Sequence, residues 1–189
     1  MKGRVFVKFK GLLLSFLVLV TLLGFPPIEK ASASTPSDSV VDRIDTSKNY
    51  YIVPADLPTR GLGSHRSFNF SPSLVVAPSL GNTVEKPNGA RMKLVFSEEK
   101  KTYHIGMPYP MPGIGLVDHF IDNYGGGGLY ISLGEQYAVD WIITSVEGGY
   151  TLQSEGGYLN YEDIEVTNGP ITRAYLGKEK VVWKLVPVL

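Results

Sequence analysis

The sequence predicts an all-β chain that closes on itself, and three observations carry that prediction. From Asn49 onward, short apolar runs alternate with Gly, Pro and Asn punctuation, and no stretch keeps a helical period over three turns. A strand–turn–strand phrase, Trp141-Ile142-Ile143-Thr144-Ser145-Val146-Glu147-Gly148-Gly149-Tyr150-Thr151-Leu152, has an earlier counterpart running from Met92 to Ile105. A third copy is divided, with Trp183-Lys184-Leu185 near the C-terminus and Tyr51-Ile52-Val53 after the N-terminal leader. A chain that opens on half a motif and ends on the other half is expected to pair its first and last strands.

In chain order, the first element is not expected to belong to the folded domain. Lys2, Arg4, Lys8 and Lys10 precede an apolar run from Gly11 to Phe25, and Ala31-Ser32-Ala33 follows as a small-residue cleavage site. Residues 1–33 therefore read as a secretory signal peptide, the apolar run being short for a membrane span. The mature protein is expected to be secreted and free of the membrane once the signal is cleaved. Residues 34–48, rich in Ser, Thr and Asp, read as a flexible leader from which Val40, Val41 and Ile44 could dock on the domain.

Residues 49–189 divide into three units of four strands. The first has strands near 50–54, 63–70, 73–77 and 91–96. The second has them near 102–106, 115–121, 128–133 and 139–144, and the third near 149–154, 158–165, 171–176 and 180–187. The spacings Tyr51 to Met92, Tyr103 to Trp141 and Tyr150 to Trp183 are 41, 38 and 33 residues. A repeat near 40 residues also suits propeller blades, but three blades are too few. Three four-stranded units match a β-trefoil, a six-stranded barrel with a hairpin cap, whose closure removes exposed sheet edges. Met92, Trp141 and Trp183 are expected to fill equivalent core positions, with Tyr51, Tyr103 and Tyr150 beside them.

Charge and composition exclude several functions. The chain carries 18 basic and 18 acidic residues; residues 1–33 hold five Lys or Arg and one Glu, so the mature net charge is −4. Such a surface lacks the basic stripe that nucleic-acid binding needs. Without cysteine there is no disulfide framework, thiolate metal site or cysteine nucleophile. His65, His104 and His119 show no zinc-binding spacing, and no Ser lies in a nucleophile-elbow context. The chain is read as a monomeric non-enzyme that needs no cofactor.

The first unit resembles a known family. Asn49-Tyr50-Tyr51-Ile52-Val53-Pro54, the turn Arg60-Gly61-Leu62-Gly63, and Ser71-Pro72-Ser73-Leu74-Val75-Val76 are similar to the opening of the plant Kunitz (soybean trypsin inhibitor) family. Ser71 stands where that family has a cysteine, and Asn49 directly precedes Tyr50 where the family's loop-bracing Asn lies a few residues earlier. In lacking cysteine the chain is also similar to the fungal β-trefoil serine protease inhibitors. Both resemblances imply a secreted protein whose partner is an extracellular protease, probed by loops on a rigid barrel.

Four loop features are candidates for function. The connection from Ser79 to Arg91 is the longest, and the Kunitz resemblance places the reactive loop there, with Arg91-Met92 as the substrate-like bond. An Arg anchor suits an Asp-lined, trypsin-like pocket through bidentate hydrogen bonds. The fungal resemblance favours Arg66, within Ser64-His65-Arg66-Ser67, and Arg60 in the first turn is a further option. Met107-Pro108-Tyr109-Pro110-Met111-Pro112-Gly113 reads as a polyproline-like ridge that either binds a partner or covers the barrel end. Asp118, Asp122 and Tyr124, with His119 and the glycines 125–128, form an alternative ligand patch for a sugar. The alternatives to inhibition are thus a carbohydrate-binding trefoil and a cell-envelope interaction module.

Overall fold

The computed structural model describes residues 43–66, 72–125 and 128–189. Twelve strands account for nearly all of its regular structure. They are β1 (Asn49–Pro54), β2 (Leu62–His65), β3 (Ser73–Val76), β4 (Met92–Ser97), β5 (Thr102–Met111), β6 (Gly115–Asp122), β7 (Tyr130–Leu133), β8 (Ile142–Val146), β9 (Gly149–Ser154), β10 (Gly157–Val166), β11 (Gly169–Gly177) and β12 (Trp183–Pro187). One 3-10 turn, Glu135–Tyr137, precedes β8. The expected signal peptide, and the leader up to residue 42, lie outside the described residues.

Ten strands close an antiparallel ring in the order β1-β4-β5-β6-β7-β3-β11-β10-β9-β12 and back to β1. β2 joins the ring by pairing with β3, and β8 by pairing with β9. The expected pairing of first and last strands is present: Tyr50 faces Pro187 and Pro54 faces Trp183 along the whole of β1. Ahead of β8, Tyr103 and Trp141 exchange both backbone hydrogen bonds, at 2.8 and 2.9 Å, which ties Trp141 to β5.

The core follows the aromatic repeat, with one change of register. Trp141, Trp183 and Met92 are all 0% exposed. Their cross-strand partners are Tyr103, Tyr150 and Tyr50, so the third tyrosine is Tyr50 where the sequence pointed to Tyr51. With Tyr50 and Tyr51 adjacent, only the pleat decides which one faces the core cluster, and that one is Tyr50. Trp183 Nε1 donates to the Leu159 carbonyl at 3.0 Å, as a buried indole N–H should.

The Glu147-Gly148-Gly149 turn requires its glycines. Gly148 has φ 83° and Gly149 φ 157°, and a Cβ on Gly149 would lie 2.2 Å from the Trp183 carbonyl oxygen. This close backbone approach is what lets β9 meet β12 beneath the indole.

Part of the expected leader is packed. Ile44 is buried in the core cluster, Tyr50 Oη donates to the Asp45 carbonyl at 2.9 Å, and the Arg43 guanidinium lies 4.3 Å from the Phe96 ring centre while pairing with Glu98. Contacts of the domain therefore reach back to Arg43.

The expected polyproline-like ridge is instead the second half of β5. Met107, Tyr109 and Met111 stand opposite His119, Val117 and Gly115 of β6, while pairing with β4 ends at Gly106. In an antiparallel ladder alternate residues face opposite neighbours, and Pro108 and Pro110 fall where the missing N–H points away from β6. Beyond Gly106 this edge of β5 has no partner strand among the described residues, and it offers no donor at either position, a device that blocks edge pairing. Met107 is buried, Tyr109 is half-buried, and the two prolines face solvent.

Candidate functional site

The three arginines singled out from the sequence do not gather in one place. β2 and β3 form a hairpin, with Arg60 and the long loop at one end and Arg66 at the other. Two surfaces result, each holding part of the expected constellation.

At the first end the chain between β3 and β4 is fastened at its base and exposed beyond it. Asn88 is the fastening: its Nδ2 donates to the Pro78 carbonyl at 2.7 Å, its backbone N–H donates to the Thr59 carbonyl at 2.9 Å, and its carbonyl accepts from Gly61 N. Ala90 N donates to the Leu62 carbonyl at 2.7 Å, and Pro87 is buried. Gly89, at φ 156°, fits because a Cβ there would lie 2.8 Å from the Leu62 oxygen. Ser79 Oγ sits 3.3 Å from Thr59 Oγ1, and Thr83 Oγ1 accepts from Lys86 N at 3.2 Å. From Ser79 to Lys86 the loop is exposed at all but Asn82, and Leu80 shows 74% of its surface.

The arginines and Met92 fare differently here. Arg60 is internal structure: Nε donates to the Ala77 carbonyl at 2.8 Å and Nη2 to Thr172 Oγ1 at 2.6 Å, which in turn donates to Asp163. Arg91 is exposed, but Met92 is fully buried and paired with Tyr50. Met92 therefore offers no side chain to a partner, and the Arg91-Met92 bond lies on the barrel wall at the start of β4. Its place in the aromatic repeat already put Met92 in the core, and β4 begins at that residue.

At the second end a groove of about 460 Å³ runs beneath the β5–β6 hairpin, lined by Arg66, Tyr109, Met111, His119, Tyr124 and Ser132 among others. His119, 7% exposed, holds Nδ1 3.0 Å from the Val117 carbonyl, an acceptor to which Nδ1 donates. Its ring centre is 5.0 Å from that of Tyr109. Buried Asp122 accepts from Ser132 Oγ at 2.8 Å and from Asn123 N at 2.6 Å, and Ser132 shares a 2.6 Å bond with the Tyr124 hydroxyl. The Asp122–Ser132–Tyr124 chain thus orients a phenol at the groove.

Asp118 does not join this arrangement. It faces Lys93 at 3.6 Å on the sheet surface, apart from Asp122. Residues 126–127 of the expected glycine run lie outside the described residues. Among the described residues no group of three His, Asp or Glu side chains is placed to hold a metal ion.

Sequence reasoning missed one charged cluster. His104 stands between Glu135, 2.9 Å from Nδ1, and Asp140, 3.0 Å from Nε2. Asp140 also accepts from Lys100 at 2.8 Å and from Thr102 at 3.1 Å. The Lys100 ammonium, outweighing partial desolvation and helped by His104 and Thr102, holds the Asp140 carboxyl below the ordinary carboxylate range. These residues are 31 to 40 apart in sequence, beyond the reach of any motif.

No family model matches the chain, and no curated protein does. Solved structures do match. A water-soluble chlorophyll protein from Brassica oleracea var. Botrytis, determined with chlorophyll b, aligns over 75% of this chain and 91% of its own, with 14% identity and a TM-score of 0.52. A bifunctional α-amylase/subtilisin inhibitor from Oryza sativa aligns over 75% and 92%, with 14% identity and a TM-score of 0.49. At such identity the first likeness shows the fold alone. Among the described residues no helix is long and apolar enough to cross a membrane.

Proposed function

We propose that the protein is a secreted β-trefoil inhibitor of serine proteases that acts by inserting the loop between β3 and β4 into the enzyme's cleft. The observation that carries this reading is the Asn88 fastening. It ties an exposed segment to a closed barrel at Pro78, Thr59 and Gly61, so the segment is ordered before it meets a partner. Binding by a pre-ordered loop avoids the cost of immobilising it, roughly 0.5–1.5 kcal/mol per rotamer-rich side chain plus the backbone. The trefoil reading is supported by a six-strand circuit, β1-β4-β5-β8-β9-β12, in which the β5–β8 link is the Tyr103–Trp141 bridge. Secretion is supported by the signal-like residues 1–33.

The test is a titration of the purified protein against active-site-calibrated subtilisin, chymotrypsin, trypsin and papain. Inhibition of at least one serine protease at or below micromolar concentration is expected. Silence against all of them removes the reading.

A second reading rests on the groove. Tyr109 and Tyr124 beside polar His119 and Ser132 form the kind of mixed wall that takes a sugar ring. A glycan array with no signal above background removes it.

A further inference from the structure

We infer that the side chain which enters the protease is Leu80, so that the partner is an enzyme with an apolar primary pocket and not a trypsin-like one. This rests on the inhibitor reading above and concerns its specificity.

The inference follows from what each exposed side chain of this loop, and each arginine singled out from the sequence, can physically reach. A protease cleft surrounds several residues of the inserted chain, so the anchor must adjoin a run of residues that, among the described residues, no backbone hydrogen bond ties to the barrel, as 80–86 do. Arg91 fails this requirement, because Ala90 is tied to Leu62 and Met92 lies buried in β4. Arg60 has its guanidinium bonded to Ala77 and Thr172. Lys86 is followed by buried Pro87. Val84 leans over a hollow formed with Tyr150, Leu185 and Pro187, close against the barrel. Arg66 belongs to the other end of the β2–β3 hairpin, beside the groove.

Leu80 meets the requirement. The two residues before it are pinned, Pro78 through its carbonyl to Asn88 and Ser79 through its hydroxyl to Thr59, so the side chain rises from a fixed base. Its neighbours Ser79 and Gly81 are small and leave room for cleft walls. Gly81 has φ 77° with nothing within 4 Å of where a Cβ would be, so the chain turns away immediately after the leucine. An apolar side chain held 74% in water just beyond the fastened base of a loop gains by transfer into an apolar pocket. A turn at Gly81 departs from the extended path that a substrate follows, so the leucine plugs the pocket without presenting its peptide bond for cleavage.

The experiment compares inhibition constants of the wild type, Leu80→Ala, Leu80→Arg, Arg91→Ala and Arg66→Ala against subtilisin, chymotrypsin and trypsin. Leu80 is exposed, and unchanged melting temperatures confirm that the variants are folded. The wild type is expected to inhibit the apolar-pocket enzymes, Leu80→Ala to weaken this about 30-fold or more, as loss of a binding hot spot does, Arg91→Ala and Arg66→Ala to change it little, and Leu80→Arg to shift inhibition towards trypsin. Inhibition that survives Leu80→Ala, or that is lost in Arg91→Ala or Arg66→Ala, overturns the assignment to Leu80 while leaving the inhibitor reading intact. A wild type that inhibits none of the enzymes overturns both.

Discussion

Replacing Asn88 with alanine separates stability from preorganisation. The variant loses the bond from Nδ2 to the Pro78 carbonyl at 2.7 Å but keeps the backbone bonds to Thr59 and Gly61. Pro78 is exposed, so water can take over the vacated carbonyl. The stability loss is then that of an ordinary hydrogen bond, about 1 kcal/mol. For a domain of this size that lowers the melting temperature by roughly 2–4 °C. Inhibition should suffer more. Fixing the backbone of one residue costs roughly 1–2 kcal/mol, so freeing Leu80 alone weakens binding by about 1–2 kcal/mol, on the order of 10-fold. The assays are thermal unfolding, hydrogen exchange over residues 79–86, and the inhibition constant. A variant that exchanges and inhibits like the wild type refutes the claim that Asn88 orders this loop.

Other consequences follow from the barrel and its titrating groups. Gly149→Ala forces a Cβ to within 2.2 Å of the Trp183 oxygen at φ 157°, and a destabilisation of about 2 kcal/mol or more is expected in a denaturant titration. Ser132→Ala strips buried Asp122 of its side-chain donor and leaves Tyr124 without its partner; about 1–3 kcal/mol of lost stability is expected, measured the same way. Burial, reinforced by the 2.5 Å bond to Asp56, pushes the Tyr161 phenol up to about 12. Its folded value lies above the unfolded one near 10, so its stabilising contribution is full below pH 10 and falls away as pH rises towards 12. Tyr161→Phe should flatten the stability profile in that window, and an unchanged slope contradicts the assignment. Asp140 behaves in the opposite sense: its folded value is depressed, so its contribution is present above the ordinary carboxylate value of 3.8 and disappears as pH falls further. Asp140→Asn should remove that portion of the acid dependence, as followed by melting temperature against pH.

The all-β class and the approximate place of every strand were legible because they rest on local signals. Gly148-Gly149 marked a turn, and the recurring aromatics marked strands that meet in space. The pleat was less legible: Tyr50 and Tyr51 are equally aromatic, and only cross-strand pairing with Met92 shows which belongs to the repeat. Met92 was legible as a core residue from its place in the aromatic repeat, and that place excludes its side chain from the contact loop. Proline misled in the ridge, since Pro108 and Pro110 suit both a polyproline segment and a strand edge that lacks donors; the partner strand β6 decides between them.

The proposed site rests on how each residue is attached to the barrel and not on its charge. Arg60, Arg66 and Arg91 stood out as long cations in loops, yet the first is bonded inside the fold, and the other two lie at opposite ends of a hairpin. Asn88 and Leu80 carried no signal of their own. What distinguishes them is a side-chain bond across 10 residues and a side chain 74% exposed, neither of which a linear pattern encodes.

In the proposed mode of action the fastened loop, and not the groove, is the surface that meets the protease. Hydrogen exchange measured on the protein alone and in complex with the protease it inhibits tests this most directly. Slowed exchange concentrated in residues 79–86 is predicted, with the β5–β6 hairpin unchanged. Protection centred on Tyr109–Pro112 and Tyr124, with residues 79–86 exchanging as in the free protein, contradicts it.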